Sequence, residues 1–230
     1  MAMRSRRNLR YFDVPVQDLM LRISGTDDLH EEARAAGMQF WEQIQSFAIR
    51  QPAFRTSRRP LPVPDTAPPI VKEMAATSAR AGVGPMFTFQ GALVEFVGRA
   101  MARSRAEIGV SCGGDHYIAT KRRARLLVYR TPGAPRGGLA VVVKPELGPH
   151  GIYTTMGRPH LPADSADAVV VVARSCILAD AAAAGASAIL VKPGSFRRAL
   201  SYLQGLEGVY GAMVLRGERI GMAGGLELAA

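Results

Sequence analysis

Residues 166–183 read Ala-Asp-Ala-Val-Val-Val-Val-Ala-Arg-Ser-Cys-Ile-Leu-Ala-Asp-Ala-Ala-Ala. From Ala168 to Ala173 no position is polar, which predicts a strand buried on both faces. Arg174 ends the run, and Ser175 has the hydroxyl that caps a helix start. The alanines then predict a helix to about Ala188, carrying Asp180 near its beginning. A strand of this kind needs a layer on each side, and a helix of small residues lets neighbours and ligands approach closely. The two acids, Asp167 and Asp180, sit among residues too small to block a bound molecule, and a buried acid needs partners.

Three further segments share this character: Gly84-Pro85-Met86, Cys112-Gly113-Gly114-Asp115-His116 and Thr154-Thr155 after Gly151. Paired glycines let the main chain turn tightly against a ligand. Gly84-Pro85-Met86 offers amides at a helix start, suited to an anion. Asp115 either contacts a ligand or holds the Gly113-Gly114 turn as an Asx residue. His116 follows it on the opposite side of a strand, as a base or as a structural histidine. Asp180 contacts a ligand or satisfies amides at its helix start. Asp167 binds or caps a loop, and the Thr154 and Thr155 hydroxyls bind phosphate or close strand-end hydrogen bonds. His150 and His160 lack metal-ligand spacing.

Before these segments the pattern is mostly helical. Val14, Val16, Leu19, Leu21 and Ile23 alternate as in a strand over Arg10 to Ile23. Asp28 and Glu31 are spaced as a capping box, and the apolar residues from Leu29 to Ala48 form one helical face. Residues 52–69 hold six prolines, which predicts an extended connection fixed at Phe54. Pro69 starts a second helix and Gly82 stops it; Phe89 to Ala100 is a third. Short strands follow over 108–111, 116–119, 126–129, 139–143 and 151–155, with a hairpin-like loop over 130–138. A helix over 196–203 and a hairpin around Arg216-Gly217-Glu218 complete the chain, and residues 1–230 read as a single domain.

Composition bounds the function. No stretch approaches the length of a membrane span, and no apolar segment follows the basic start, so a cytoplasmic protein is expected. Two cysteines, Cys112 and Cys176, are too few for a disulfide framework and read as buried thiols. The net charge of +10 raises a nucleic-acid partner. Its arginines are spread over loops and helix ends, and no nucleic-acid signature accompanies them, so a nucleic-acid partner is disfavoured. No nucleophile elbow, Walker loop or dinucleotide fingerprint is present. A small-molecule ligand is the expected partner, and a homo-oligomer is left open.

The chain resembles the UPF0280 family, a branch of the ApbE-like superfamily. The resemblance rests on segments in a fixed order: Pro52-Ala53-Phe54, Ala67-Pro68-Pro69-Ile70-Val71, Ala81 to Met86, Gly113-Gly114-Asp115, Gly151 to Thr155, Ala166 to Ala173 and Leu178 to Ala183. It implies an α/β (α+β) fold in which a mixed sheet packs helices around a central cleft. It also implies a site between the Gly-Gly-Asp turn and the Ala-Asp-Ala helix. The best-known relatives move FMN from FAD onto a protein threonine with magnesium, so flavin and magnesium are the cofactors the resemblance suggests. In those relatives an aspartate, matched by Asp180, and a threonine four residues on hold the metal. Here that second position is Ala184, which has no oxygen and disfavours magnesium. Ala188 stands where the UPF0280 pattern ends in asparagine, and Ser111-Cys112 departs from the usual residues before Gly-Gly-Asp. The branch has been associated with sulfide assimilation. Three readings follow: an enzyme of a small phosphorylated or heteroaromatic ligand, an accessory protein that lost the metal site, or a basic nucleic-acid binder. Under the first, Asp180, Asp115 and His116 are the catalytic candidates. Gly84, Pro85, Met86, Cys112, Gly113, Gly114, Thr154, Thr155 and Asp167 would then bind ligand.

Overall fold

A computed structural model describes residues 9–103, 105, 107–130, 138–154 and 166–229. Thr155 and His160 lie outside the described residues, as do the basic residues before Asn8 and most of the 130–138 loop.

The first strand signal is a hairpin rather than one strand, β1 (Arg10–Val16) and β2 (Leu19–Gly25). Gln17 turns the chain with φ 54°, which is why the alternation on each side of it survives. The helix α1 (His30–Arg50) follows. Asp28 reaches only the His30 amide, at 3.2 Å, and no side chain caps the helix at Leu29, so the expected capping box does not form. The proline-rich connection contains a short helix, α2 (Pro52–Thr56). Pro52 occupies its first turn, where no amide hydrogen is needed, and buried Phe54 meets Phe47 edge-on at 5.0 Å. Helix α3 (Pro69–Ala81) ends at Gly82 in the left-handed region, φ 71°. A 3-10 turn over Pro85–Thr88 leads into α4 (Phe89–Ala102).

The second half supplies β3 (Ile108–Cys112), β4 (Asp115–Ala119), β5 (Ala124–Arg130), β6 (Gly138–Val143), β7 (His150–Thr154) and β8 (Ala168–Ala173). Then come α5 (Cys176–Leu190), α6 (Phe196–Gly205), β9 (Val209–Arg216), β10 (Arg219–Gly224) and β11 (Leu228–Ala229). Among the described residues eight strands form one sheet in the order β1-β2-β3-β4-β7-β8-β9-β10, and β11-β6-β5 form a second. The α/β class stands. The large sheet, expected to be mixed, is antiparallel at every strand pair among the described residues. The helices are not single crossovers that would return the chain parallel. Helices α1 to α4 separate β2 from β3, and the pair α5–α6 separates β8 from β9, so each excursion re-enters beside its predecessor in the opposite direction.

Strand β8 is buried at all six positions, for the reason its sequence suggests. Val169, Val171 and Ala173 face the alanines of α5, together with Phe196 and Leu203 of α6. Val170 and Val172 face Val128, Val141 and Val143 of the small sheet. Helices on one face and a second sheet on the other make three layers, and the helix layer borders the candidate site.

Candidate functional site

Helix α5 is the spine of that layer. Ser175 caps it, its hydroxyl accepting from the Leu178 amide at 3.1 Å. Its neighbours come close because side chains are missing at the contacts. A Cβ on Gly91 of α4 would sit 2.7 Å from the Cys176 carbonyl oxygen and 2.9 Å from Asp180 Cβ. One on Gly151 of β7 would collide with the backbone of Ser175 and Cys176, and one on Gly185 would collide with the Tyr202 ring of α6. Tyr202 in turn donates to the Ala81 carbonyl at 2.7 Å.

A cleft of about 1000 Å³ runs along the outer side of α5. Asp180, Ala184, Ser187 and Ala188 line it from the helix itself. The stretch from Asp180 to Ile189 is roughly 13 Å long at 1.5 Å per residue. Ring side chains come from Phe87, Phe89, Tyr153 and Tyr202, and cations from Arg58, Lys192 and Arg198. Among the described residues none of those three cations makes an ion pair. Asp180 is 3% exposed and accepts from the Gly91 amide at 3.2 Å.

Beneath the cleft lies a buried polar cluster. The Cys176 thiol donates to the His116 carbonyl oxygen at 3.2 Å. Burial pushes it well above the ordinary thiol range, and the charges of Glu95, Asp115 and Asp180 add to this. Both Cys176 and Cys112 are buried free cysteines; Cys176 is held as an inert thiol. Burial also lifts Glu95 above the ordinary carboxyl range, with Arg99 and the Ile177 amide offsetting part of it.

The sequence-predicted residues divide among several places. Asp180 and Met86 line the cleft. Gly84 and Pro85 are buried, and a Cβ at Gly84 would collide with the Ser57 carbonyl, so this glycine serves a backbone crossing. Asp115 is fully buried, with Tyr153 of the cleft as its cross-strand partner. Cys112 and Gly114 are buried beside it. Gly113, at φ 57°, and His116 line a different hollow of about 340 Å³ bounded by Tyr11, Asp13, Arg22 and Ser111. Nε2 of His116 is buried there without a hydrogen-bond partner among the described residues, and burial pulls this imidazole down to about 4. Thr154 is buried and its hydroxyl donates to the Val128 carbonyl at 2.5 Å. Asp167 accepts from the Gly217 amide at 2.5 Å, tying down the β9–β10 turn. The ring and cation lining was missed. Phe87 and Tyr202 stand in no motif, Tyr153 lies within the Gly151 to Thr155 segment without being singled out, and Arg58, Lys192 and Arg198 fall in no motif.

The donor set does not fit a hard cation held by protein alone. Such an ion needs about six oxygens. Asp180 and Asp18 are the carboxylates of the lining, and Ala184 and Ala188 present methyl groups. Among the described residues no three His, Cys, Asp or Glu side chains are grouped so as to hold a metal ion. Among the described residues no helix is long and apolar enough to cross a membrane.

Antiparallel strands between a helix layer and a small sheet define an ApbE-like α/β protein, and solved structures share this fold. The ApbE protein of Thermotoga maritima superposes with a TM-score of 0.59 at 12% identity, over 94% of this chain and 97% of that one. The apo flavinyl transferase ApbE of Pseudomonas stutzeri gives 0.53 at 14% identity, over 94% of each. The family model described as AbpE bacteria matches residues 2–201. A UPF0280 protein of Methanosphaerula palustris is 34% identical over 193 residues, 83% of this chain and 80% of its own. One from Methanothrix thermoacetophila is 30% identical over 198 residues, 84% of this chain and 83% of its own. The chain belongs to the UPF0280 family, as a divergent member of the ApbE-like superfamily.

Proposed function

We propose that the cleft along α5 binds a phosphorylated heteroaromatic ligand, of flavin, pterin or nucleotide type. The lining carries this reading. Rings from Phe87, Phe89, Tyr153 and Tyr202 suit a flat heterocycle. Arg58, Lys192 and Arg198 carry positive charge that no acid of the described residues neutralises, and that charge suits phosphate. Asp180 lies within the same lining and can accept from a ring N–H or a sugar hydroxyl. The volume accommodates a ligand of dinucleotide size.

The same lining favours an accessory or non-transferring role as the second reading. Ala184 faces the cleft one helical turn from Asp180, at the position where the resemblance to flavin transferases implies a metal-binding threonine. A protein that holds its ligand without a metal cannot use the cation to polarise a phosphoryl oxygen. Transfer of FMN to a threonine acceptor is therefore expected to be absent.

The experiment is thermal denaturation with FAD, FMN, a pterin monophosphate or ATP, each with and without magnesium. A true ligand at 100 times its dissociation constant stabilises by about 2.7 kcal/mol, which raises Tm by several degrees. If none of the four moves Tm, the reading fails. A salt-sensitive shift produced by generic duplex DNA in their place would favour the nucleic-acid alternative.

A further inference from the structure

Two buried carboxylates tie α4 to α5 in opposite directions. The Gly91 amide of α4 donates to Asp180 Oδ2 of α5 at 3.2 Å. The Ile177 amide of α5 donates to Glu95 Oε2 of α4 at 3.1 Å. Gly91 and Glu95 are one turn apart on their helix, and Ile177 and Asp180 nearly one turn apart on theirs, so the bonds are neighbours in one helix contact. The first amides of a helix have no partner within it. Ser175 satisfies Leu178 from within the chain's own cap, and Glu95 satisfies Ile177 from the neighbouring helix.

Glu95 is 2% exposed, and its second oxygen is held by Arg99 Nη2 at 2.5 Å. Arg99 is fixed from outside by both oxygens of Glu73, at 2.9 Å each. A chain of charged contacts thus runs from the surface at Glu73 through Arg99 and Glu95 to the first turn of α5. None of these three residues lines the cleft. Simple core packing has no need of a carboxylate there, since an apolar residue avoids its desolvation cost. What the carboxylate adds is direction: it fixes how far α5 advances along α4 and how it is rotated. Asp180 sits on the next turn and accepts from Gly91 at this same setting.

We propose that Glu95 is the positioning residue of the cleft, acting through α5 to hold the Asp180 carboxylate where a ligand meets it. This rests on the reading of the cleft as the ligand site. The test combines amide hydrogen exchange by NMR with FMN titration of wild type, Glu95→Ala and Glu95→Gln. In Glu95→Ala the Ile177 and Gly91 amides should lose protection together, relative to amides at Ala182 and Ala183, and FMN affinity should fall on the order of tenfold. Glu95→Gln keeps an acceptor for Ile177 but sets an N–H donor against Arg99, and should recover part of both effects. If Glu95→Ala does not fold, Glu73→Gln loosens Arg99 from the surface and should show the same paired loss of protection, smaller in size. Unchanged Gly91 protection, or unchanged FMN affinity in a folded variant, would overturn the proposal. If wild type binds no FMN the cleft reading fails for this probe, and the paired amide loss still decides whether Glu95 sets Asp180.

Discussion

His116 is a titratable residue whose setting makes a measurable demand. Its Nε2 is buried without a partner among the described residues, and burial holds its pKa down to about 4. In the unfolded chain the imidazole regains a value near 6.5. Below that pH the unfolded state takes up a proton that the folded state refuses until about 4. The contribution is therefore intact above pH 6.5 and is lost as pH falls to about 4, about 3 kcal/mol in all. Urea unfolding of wild type and His116→Gln across this range should show a shallower acid limb in the variant. Identical limbs would mean that the histidine is not held neutral. Ala184 makes a different demand at the cleft. An Ala184→Thr variant adds one hydroxyl beside Asp180, so millimolar magnesium should raise its Tm in the presence of FMN more than that of wild type. Equal magnesium effects would show that the missing oxygen is not what separates this chain from metal-using relatives.

At the scale of elements, α5 decides the arrangement, and close approach is its means. Gly185 lies inside the helix, where glycine costs about 1 kcal/mol against alanine. It sits there because the Tyr202 ring occupies the space of a Cβ. Gly185→Ala should therefore destabilise by about 1–3 kcal/mol, as overpacking does, despite the gain in helix propensity. Gly205, the last residue of α6, has open space where a Cβ would go, with no atom within 4 Å, so Gly205→Ala should be neutral or slightly stabilising. Equal effects in chemical denaturation would mean that α6 does not bear on α5 at Gly185. These contacts also show what the sequence makes legible. The two-sided burial of β8, the Ser175 cap, the Pro69 start and Gly82 stop of α3 all follow from local chemistry. The Gln17 turn and the short helix after Pro52 do not, because one is set by strand pairing and the other by the seating of Phe54 on Phe47. The antiparallel return of β3 beside β2 and of β9 beside β8 depends on where each helical excursion re-enters the sheet, which no local pattern encodes.

Over the whole molecule, the candidate site is legible where small residues mark it and illegible where long side chains complete its lining. Asp180 stands out in its alanine helix. Gly113 and His116 stand out equally, yet the alternation along β4 sends His116 away from the helix layer and leaves Asp115 beneath α5. Arg58 follows α2, Lys192 follows α5 and Arg198 lies in α6, and folding brings all three to one cleft. The net charge of +10 thus has part of its explanation at this lining. The central claim is that ligand occupies the α5 cleft and not the hollow at His116. Ala188 is exposed on the cleft wall, and Ser111 borders the other hollow, so a tryptophan at either place fills space without entering the core. The deciding measurement is calorimetric titration of FMN, or of whichever probe first shifts wild-type Tm, into Ala188→Trp and Ser111→Trp. The account predicts lost binding in Ala188→Trp and wild-type affinity in Ser111→Trp; binding retained in the first and lost in the second would contradict it.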